Sequence, residues 1–348
     1  MSQAPRGQTG ALHELAATPE TIHWGYFDHD RPPVLRVQSG DLIAVEALTG
    51  HAGEAPDLMM DDRIRTVYER VTDRGPGPHL LTGPVWVVGA EPGDALVIEI
   101  LELRPRHPYG SNVAGWWGYL YDEFGRSERI TIYHLDGERG RAHAAFAFEH
   151  PRQPSRPGLL IEPGSVAREP ALAGIGIPLR PHFGCSGVAP AAPGRRDTTP
   201  PGAFGGNIDN RHFGPGTRMW YPVQVPGALW SAGDPHAAEG DGEINGTAIE
   251  ASLNSLVRVQ LHKRLPLPGP LLESPTHWMI HGFGEHLDAA MRSAALATLA
   301  FLTQRLDVSE WDAYSLMSVG VDFAVTQVVN TIVGVHARVA KQLLPALR

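Results

Sequence analysis

Within Gly233–Glu243 (GDPHAAEGDGE) stand Asp234, His236, Glu239, Asp241 and Glu243, and no Lys or Arg occurs between Met219 and Val257. Folded inward, carboxylates so crowded must be protonated, paired with cations from elsewhere in the chain, or bound to a metal. Turned outward, they form a solvated acidic loop, which is the blander reading. A neutral imidazole among hard carboxylate oxygens is the ligand set of hydrolytic Zn²⁺ sites, and Mn²⁺ also accepts it. One carboxylate is then free to act as a base. A divalent ion with an open position lowers the pKa of its water, supplying hydroxide near neutral pH for attack on an amide carbon.

A second polar cluster precedes this one, Gly205-Gly206-Asn207-Ile208-Asp209-Asn210. Asp209 is a candidate to complete a metal shell, and Asn207 to hold a substrate amide or stabilise an oxyanion. The alternative is an Asx-rich turn. His79 (GPGPHLLTGPVW) and His182 (RPHFGCSG) are further candidates among 17 His, most of which must be structural or exposed. Cys185 is the single cysteine, so no internal disulfide or multi-Cys zinc site exists. Its Gly184-Cys185-Ser186-Gly187 setting is not a nucleophile elbow and reads as a buried thiol. The only lysines are Lys263 and Lys341, which disfavours the lysine-dependent amidase mechanisms. No phosphate loop, dinucleotide fingerprint or HExxH helix is present.

The elements that must hold these residues read as mainly β. With 39 Gly and 31 Pro in 348 residues, turns and short strands are favoured over long helices. PPVLRVQSGDLIAVEAL (32–48) and GPVWVVGAEPGDALVIEILEL (83–103) each resemble a hairpin turning at Gly40-Asp41 or Gly93-Asp94, which suggests a β-sandwich or barrel. Residues 57–74 read as a helix or a mobile flap, 128–135 and 142–149 as strands, and 175–217 as mostly loop. Strands are expected at 218–230 and 244–262, with 233–243 a loop between them. The Ala- and Leu-rich run 285–306 predicts a helix, Ser309 with Asp312 caps a shorter one, and 321–329 returns to strand. The expected organisation is a β-rich part at 1–150, a β/loop segment with the active-site motifs at 151–270, and an α+β portion at 271–348 packed on the same unit.

The net charge of −9 and pI near 6.0 disfavour a nucleic-acid or anionic-membrane partner. The N-terminal twenty residues lack a basic region followed by an apolar core, and no apolar run is long enough to span a bilayer, so a cytoplasmic protein with a small-molecule substrate is expected. The Ala-rich helix and edge strands suggest a homo-oligomer, a dimer or higher.

Taken together and in order, HWGYFDHDRPPVLRVQSGD, HLLTGPVWVVGAEPGDAL, GCSGVAP, GGNID, GALWSAGDPHAAEGDGEINGTAIE and DFAVTQVV resemble the acetamidase/formamidase family over nearly the whole chain. The resemblance implies a mostly β fold with an α+β C-terminal portion, hydrolysis of a small linear carboxamide to acid and ammonia, and a divalent metal, zinc first, with Mn²⁺ or Ca²⁺ as alternatives. It places the active site around Asn207, Asp209, His236, Asp241 and Glu243. The assignment from it gives Asp209, His236 and Asp241 to the metal, Glu243 to proton transfer and Asn207 to the substrate. Glu239, Asp234, His79 and His182 are possible further ligands or substrate contacts. Glu239 stands where Gln or Met is common in the family, and Asn245 where Cys or Ser is common. A larger amide, a lactam or another C–N bond is therefore an alternative substrate, and a non-catalytic metal- or ligand-binding protein is the rival reading. Residues 57–74, Trp116-Trp117 and Trp220 are candidates to shape the pocket.

Overall fold

The computed structural model describes residues 10–344; the first nine residues of the N-terminal stretch weighed above lie outside it. Two large sheets face each other. A nine-stranded sheet runs in the order Leu12–Leu15, Leu42–Ala47, Leu253–His262, Ala95–Pro105, Arg218–Pro222, Leu271–Glu273, His277–Gly284, Val333–Ala340 and Val321–Gln327. The second, eleven-stranded, runs Ile177–Pro178, Arg141–Glu149, Arg129–Asp136, Tyr109–Ala114, Ile249–Glu250, Trp230–Ala238, His182–Gly187 and Gly205–Asn207. From Trp230–Ala238 it branches through Leu80–Val87 to Ile22–Trp24 and Leu35–Val37.

Alternation along Leu42–Ala47 and Leu253–His262 turns Ile43, Val45, Val257 and Val259 inward, where they meet Leu81, Val85, Phe183, Cys185 and Trp230 of the opposite sheet. The fold class expected from the sequence, mainly β with a helical C-terminal portion, is the one observed. The division at 150 and 270 does not separate structural units, because the nine-stranded sheet takes strands from all three stretches.

The two Gly-Asp segments are not hairpins. Leu35–Val37 pairs with Leu80–Val87, whereas Leu42–Ala47 pairs with Leu12–Leu15 and Leu253–His262; Leu80–Val87 and Ala95–Pro105 likewise lie in different sheets. Each turn carries the chain across the sandwich, and its Asp pins the corner. Asp41 Oδ2 accepts from Gln38 N at 2.8 Å, and Asp94 Oδ2 from Glu91 N at 2.9 Å. Hairpin and corner share the same local chemistry, so only long-range pairing tells them apart.

Residues 57–74 form no mobile flap. Asp61 caps a helix at Asp62–Arg70, accepting from Ile64 N, and Ile64, Val67 and Tyr68 are buried. At the C-terminal end, Leu287–Leu306 lies across His277–Gly284 and presents Ala290, Ala294, Thr298 and Leu302 at helical spacing. The approach is close: a Cβ on Gly282 would stand 2.0 Å from Ala294 N, so the strand needs glycine there. Ser309 accepts from Asp312 N and caps Glu310–Gly320 as expected. Among the described residues no helix is long and apolar enough to cross a membrane.

Candidate active site

Only the second half of the acidic stretch is loop. Gly233–Ala238 belongs to the fully buried strand Trp230–Ala238, which is flanked by His182–Gly187, Ile249–Glu250 and Leu80–Val87. The expectation of a loop throughout 233–243 is therefore corrected: glycine, proline and acidic residues resemble a loop locally, yet neighbouring strands enclose this segment. His182–Gly187 is likewise a buried strand inside the region expected to be mostly loop.

The enclosure places His236 at the centre of a buried polar cluster. Its Nε2 lies 3.2 Å from Glu250 Oε1 and 3.3 Å from Asp234 Oδ2; its Nδ1 lies 3.1 Å from Glu239 Oε2 and 3.2 Å from His182 Nε2. Asp209 and Glu243 complete a group with His236 and Glu239 whose ligand atoms all lie within 4.8 Å of one another. Asn330, on the turn after Val321–Gln327, donates its amide to Asp209 Oδ2. His79 stands 3.6 Å from Asp234 Oδ2 and 3.0 Å from Thr198 Oγ1. Asp209, Asp234 and Glu243 all have left-handed backbone, at φ 51°, 50° and 47°. Such conformations cost roughly 1–3 kcal/mol each and cluster at functional sites.

Too little positive charge faces these carboxylates. Burial, then the charge of Asp234, pushes Asp209 well above the usual carboxylate range; burial, then Asp209 and Glu239, does the same to Glu243. Burial also pushes Asp234 and Glu239 up, but His79 and His236 outweigh it at Asp234, and hydrogen bonds with His182 and His236 outweigh it at Glu239, so both are held low. Burial disfavours a charged His236, yet Glu250 and Asp234 drive its pKa well upward. Several polar atoms remain buried without partners: Asn207 Oδ1, Asp209 Oδ1, Glu239 Oε1, Glu243 Oε2 and Glu250 Oε2. Gly184 keeps the space beside Asp209, His236 and Asp234 free of a side chain. A Cβ there would lie 2.5 Å from Asp209 Oδ1, 2.5 Å from His236 Cε1 and 2.6 Å from Asp234 Oδ2. Excess carboxylate, unpartnered oxygens and a side-chain-free gap fit a divalent cation in chemistry and in space.

Asp209, His236 and Glu243 thus come together, with Asn207 buried on the adjoining strand Gly205–Asn207. Asp241 does not join them. It turns the other way, where Arg211 grips it at 2.8 Å through Nε and 2.9 Å through the second guanidinium nitrogen, so a cation remote from the acidic stretch does neutralise one of its charges. Glu239, Asp234 and His182 hold the inward positions instead. Trp220 packs against Trp278 and His262 beside the C-terminal helices, away from this cluster. Trp117 and Asn245 brace the site from outside: Trp117 Nε1 donates to Gly246 O at 2.5 Å, and Asn245 and Asn112 exchange amide hydrogen bonds at 2.7 and 3.1 Å. Cys185 is buried in the core, and burial, followed by the charges of Asp234 and Asp209, raises its thiol well above the ordinary value.

Sequence reasoning missed Glu250 and Asn330. Glu250 is the lone acid in the apolar run TAIEASL, a pattern that signals a buried, partnered carboxylate. Nothing local marks Asn330 in TQVVNT.

Comparison with known proteins gives the chain its family. The acetamidase of Mycolicibacterium smegmatis is 33% identical over 62% of this chain and 60% of its own length, so the match spans less than two thirds of that relative. The crystal structure of an acetamidase from Bacillus halodurans superposes with a TM-score of 0.74 at 27% identity, covering 95% of this chain and 98% of that one. An acetamidase structure from Yersinia enterocolitica gives 0.78 at 24% identity over 98% and 95%, a likeness of fold. The model of the Acetamidase/Formamidase family matches residues 13–195 and 191–345, and the chain belongs to that family.

Proposed function

We propose that this protein hydrolyses a small linear carboxamide to a carboxylic acid and ammonia, with a divalent metal, zinc first, held by Asp209, His236 and Glu239. The observation that carries this reading is the buried excess of carboxylates around His236, with unpartnered oxygens on Asp209, Glu239 and Glu243 and with Gly184 leaving room beside Asp209 and His236. Family membership and the printed names of the relatives, acetamidase and formamidase, support the reaction class. When bound, such an ion makes water acidic enough to lose a proton near neutral pH and polarises a carbonyl.

The chain's own groups do the rest. Asn207 offers an amide hydrogen to the substrate carbonyl and its unpartnered Oδ1 to the substrate NH₂. Glu243, with a free Oε2, takes a proton from the attacking water in its ionised form, which the charge of a bound cation would favour against the burial and neighbouring carboxylates that otherwise hold its proton. As the water oxygen bonds to the amide carbon and the C–N bond breaks, Glu243 returns that proton to the departing nitrogen, which leaves as ammonia. His182 fixes Glu239, and Asn330 fixes Asp209. Thiol catalysis through Cys185 is disfavoured, because its pKa is raised and its side chain lies in the core.

A cytoplasmic location, a small-molecule substrate rather than nucleic acid or membrane, and self-association belong to the same proposal. For the last, the outer face of the C-terminal helices offers Trp311, 81% exposed, together with Tyr314 and Val319.

The test is ammonia release from formamide, acetamide, propionamide and a γ-lactam, before and after chelation and with Zn²⁺ or Mn²⁺ restored. Release abolished by chelation and recovered with metal is expected. Release that persists after thorough chelation rejects the metal, and silence on every amide rejects the hydrolase reading in favour of a binding protein.

A further inference from the structure

Behind the catalytic loop lies a second polar cluster that the proposed reaction does not use. The ligand atoms of His212, His336 and Asp241 lie within 4.8 Å of one another, and the two imidazoles meet edge to face at 5.7 Å between centroids. His336 is fully buried on the strand Val333–Ala340; its Nδ1 lies 2.9 Å from Thr326 Oγ1, while its Nε2 is buried without a partner. His212 Nε2 is equally unpartnered. Arg338, two residues along the strand and so on the same face as His336, leaves its Nε buried and unpartnered too.

Charge decides which ligand these nitrogens suit. Arg180, Arg211 and Arg338 bear on the His212 ring; Asp241 faces it too, its oxygens held by Arg211, and Asp322 stands opposite Arg338 on the neighbouring strand. Burial, with the guanidiniums outweighing Asp241, keeps His212 at about 4; burial, then the neighbouring His281 and His212 rings, then Arg338 and Arg211, keeps His336 at about 2. A divalent cation would add two positive charges where positive charge is already in excess. An anion would meet guanidinium and ring N–H donors in a partly dry setting, where charge-assisted hydrogen bonds are strong.

We propose that His212, His336 and Arg338 form a binding site for a small oxyanion, a carboxylate of formate or acetate size or inorganic phosphate, on the far side of the Gly240–Gly242 turn from the catalytic cluster. The site is wired to the loop that carries Glu243. Gly242 N donates to Thr326 O at 2.9 Å, Val328 N donates to Gly242 O at 3.2 Å, and Thr326 also holds His336. Asp241 precedes Gly242, and Arg211 on Asp241 stands next to His212 in the chain.

The experiment is calorimetric titration of the metal-chelated full chain with formate, acetate and phosphate at low ionic strength, and separately with zinc chloride, for the wild type and for Arg338→Met, His336→Leu and Glu243→Gln. Arg338 is partly exposed, so its variant tests the site even if His336→Leu fails to fold. Saturable anion binding that weakens at least about tenfold in Arg338→Met or His336→Leu and persists in Glu243→Gln supports the site. Tighter binding of carboxylate points to the reaction product as ligand, and tighter binding of phosphate to an independent effector. The proposal is overturned by the absence of saturable anion binding, by equal binding in wild type and Arg338→Met, by loss in Glu243→Gln alone, or by zinc binding that His336→Leu removes. Because binding is read without turnover, this outcome is separate from whether the protein hydrolyses amides.

Discussion

His182 Nε2 lies 2.8 Å from Glu239 Oε2, with both side chains sealed from solvent, and the same oxygen stands 3.1 Å from His236 Nδ1. His182 Nδ1 lies 2.7 Å from Arg180 O, an atom that can only accept, so Nδ1 carries a hydrogen and the ring orientation is fixed. Glu239 is thereby anchored through one oxygen while Oε1 remains free. The expected outcome for His182→Gln is metal affinity reduced roughly 10- to 100-fold, as for other partners of ligating groups, measured by competition with a chromogenic chelator. Unchanged affinity would remove Glu239 from the ligand set.

Glu243→Gln keeps the shape of the site and removes its proton carrier. Turnover is expected to fall about 10²- to 10⁴-fold with bound metal retained, as followed by ammonia release and metal analysis on one sample. Activity near wild type would move the proton-transfer role to another carboxylate.

Gly184→Ala puts a methyl group into the gap among Asp209, His236 and Asp234. Overpacking of this kind costs on the order of 1–3 kcal/mol, and here it also occupies the space reserved for a ligand. A folded variant with a lower melting temperature and no metal uptake is expected. Normal uptake, measured by the same metal analysis, would relocate the cation.

Metal binding at His236 must displace the proton that Glu250 and Asp234 hold there. Proton release on titration with zinc is therefore expected, with affinity falling as pH drops; calorimetry in buffers of different ionisation enthalpy reads it directly. Binding without proton release would exclude His236 as a ligand.

His51 supplies a stability prediction. Burial alone would lower its pKa, but the charge of Glu54, 2.7 Å away, and its hydrogen bond raise it to about 9 from an ordinary 6.5. A pKa raised on folding stabilises the protein fully below the unfolded value and loses that contribution as pH climbs through the folded one. Denaturant midpoints of the wild type should decline between about pH 6.5 and 9, and more steeply than those of His51→Gln. Parallel profiles would show that His51 is neutral in the fold.

What could be read from the sequence follows from how local each feature is. The helix 285–306 and its successor's Ser309 cap lie in consecutive residues and were readable. So was the grouping of Asp209, His236 and Glu243, which the family resemblance drew to one site and the fold brings together. The destination of Asp241 was not readable, because its partner Arg211 lies thirty residues upstream and two carboxylates two residues apart look equivalent until a turn sends them to opposite sides. The buried strand at 230–238 was hidden for the same reason. Its glycines fit neighbouring strands closely, and those neighbours come from residues 80–87, 182–187 and 249–250.

The hydrogen bond from Asn330 to Asp209 joins residues 121 positions apart, and the sheet that carries the one is completed only by the last strands of the chain. A polypeptide emerging from the ribosome thus exposes Asp209, Asp234, Glu239 and Glu243 to water, ionised and mutually repelling, long before their enclosure exists. Closing the final strands over them requires that protons or a cation be taken up in the same step. On the metal reading proposed above, supply of the ion during biosynthesis, and not only during turnover, then bears on how much of this protein matures.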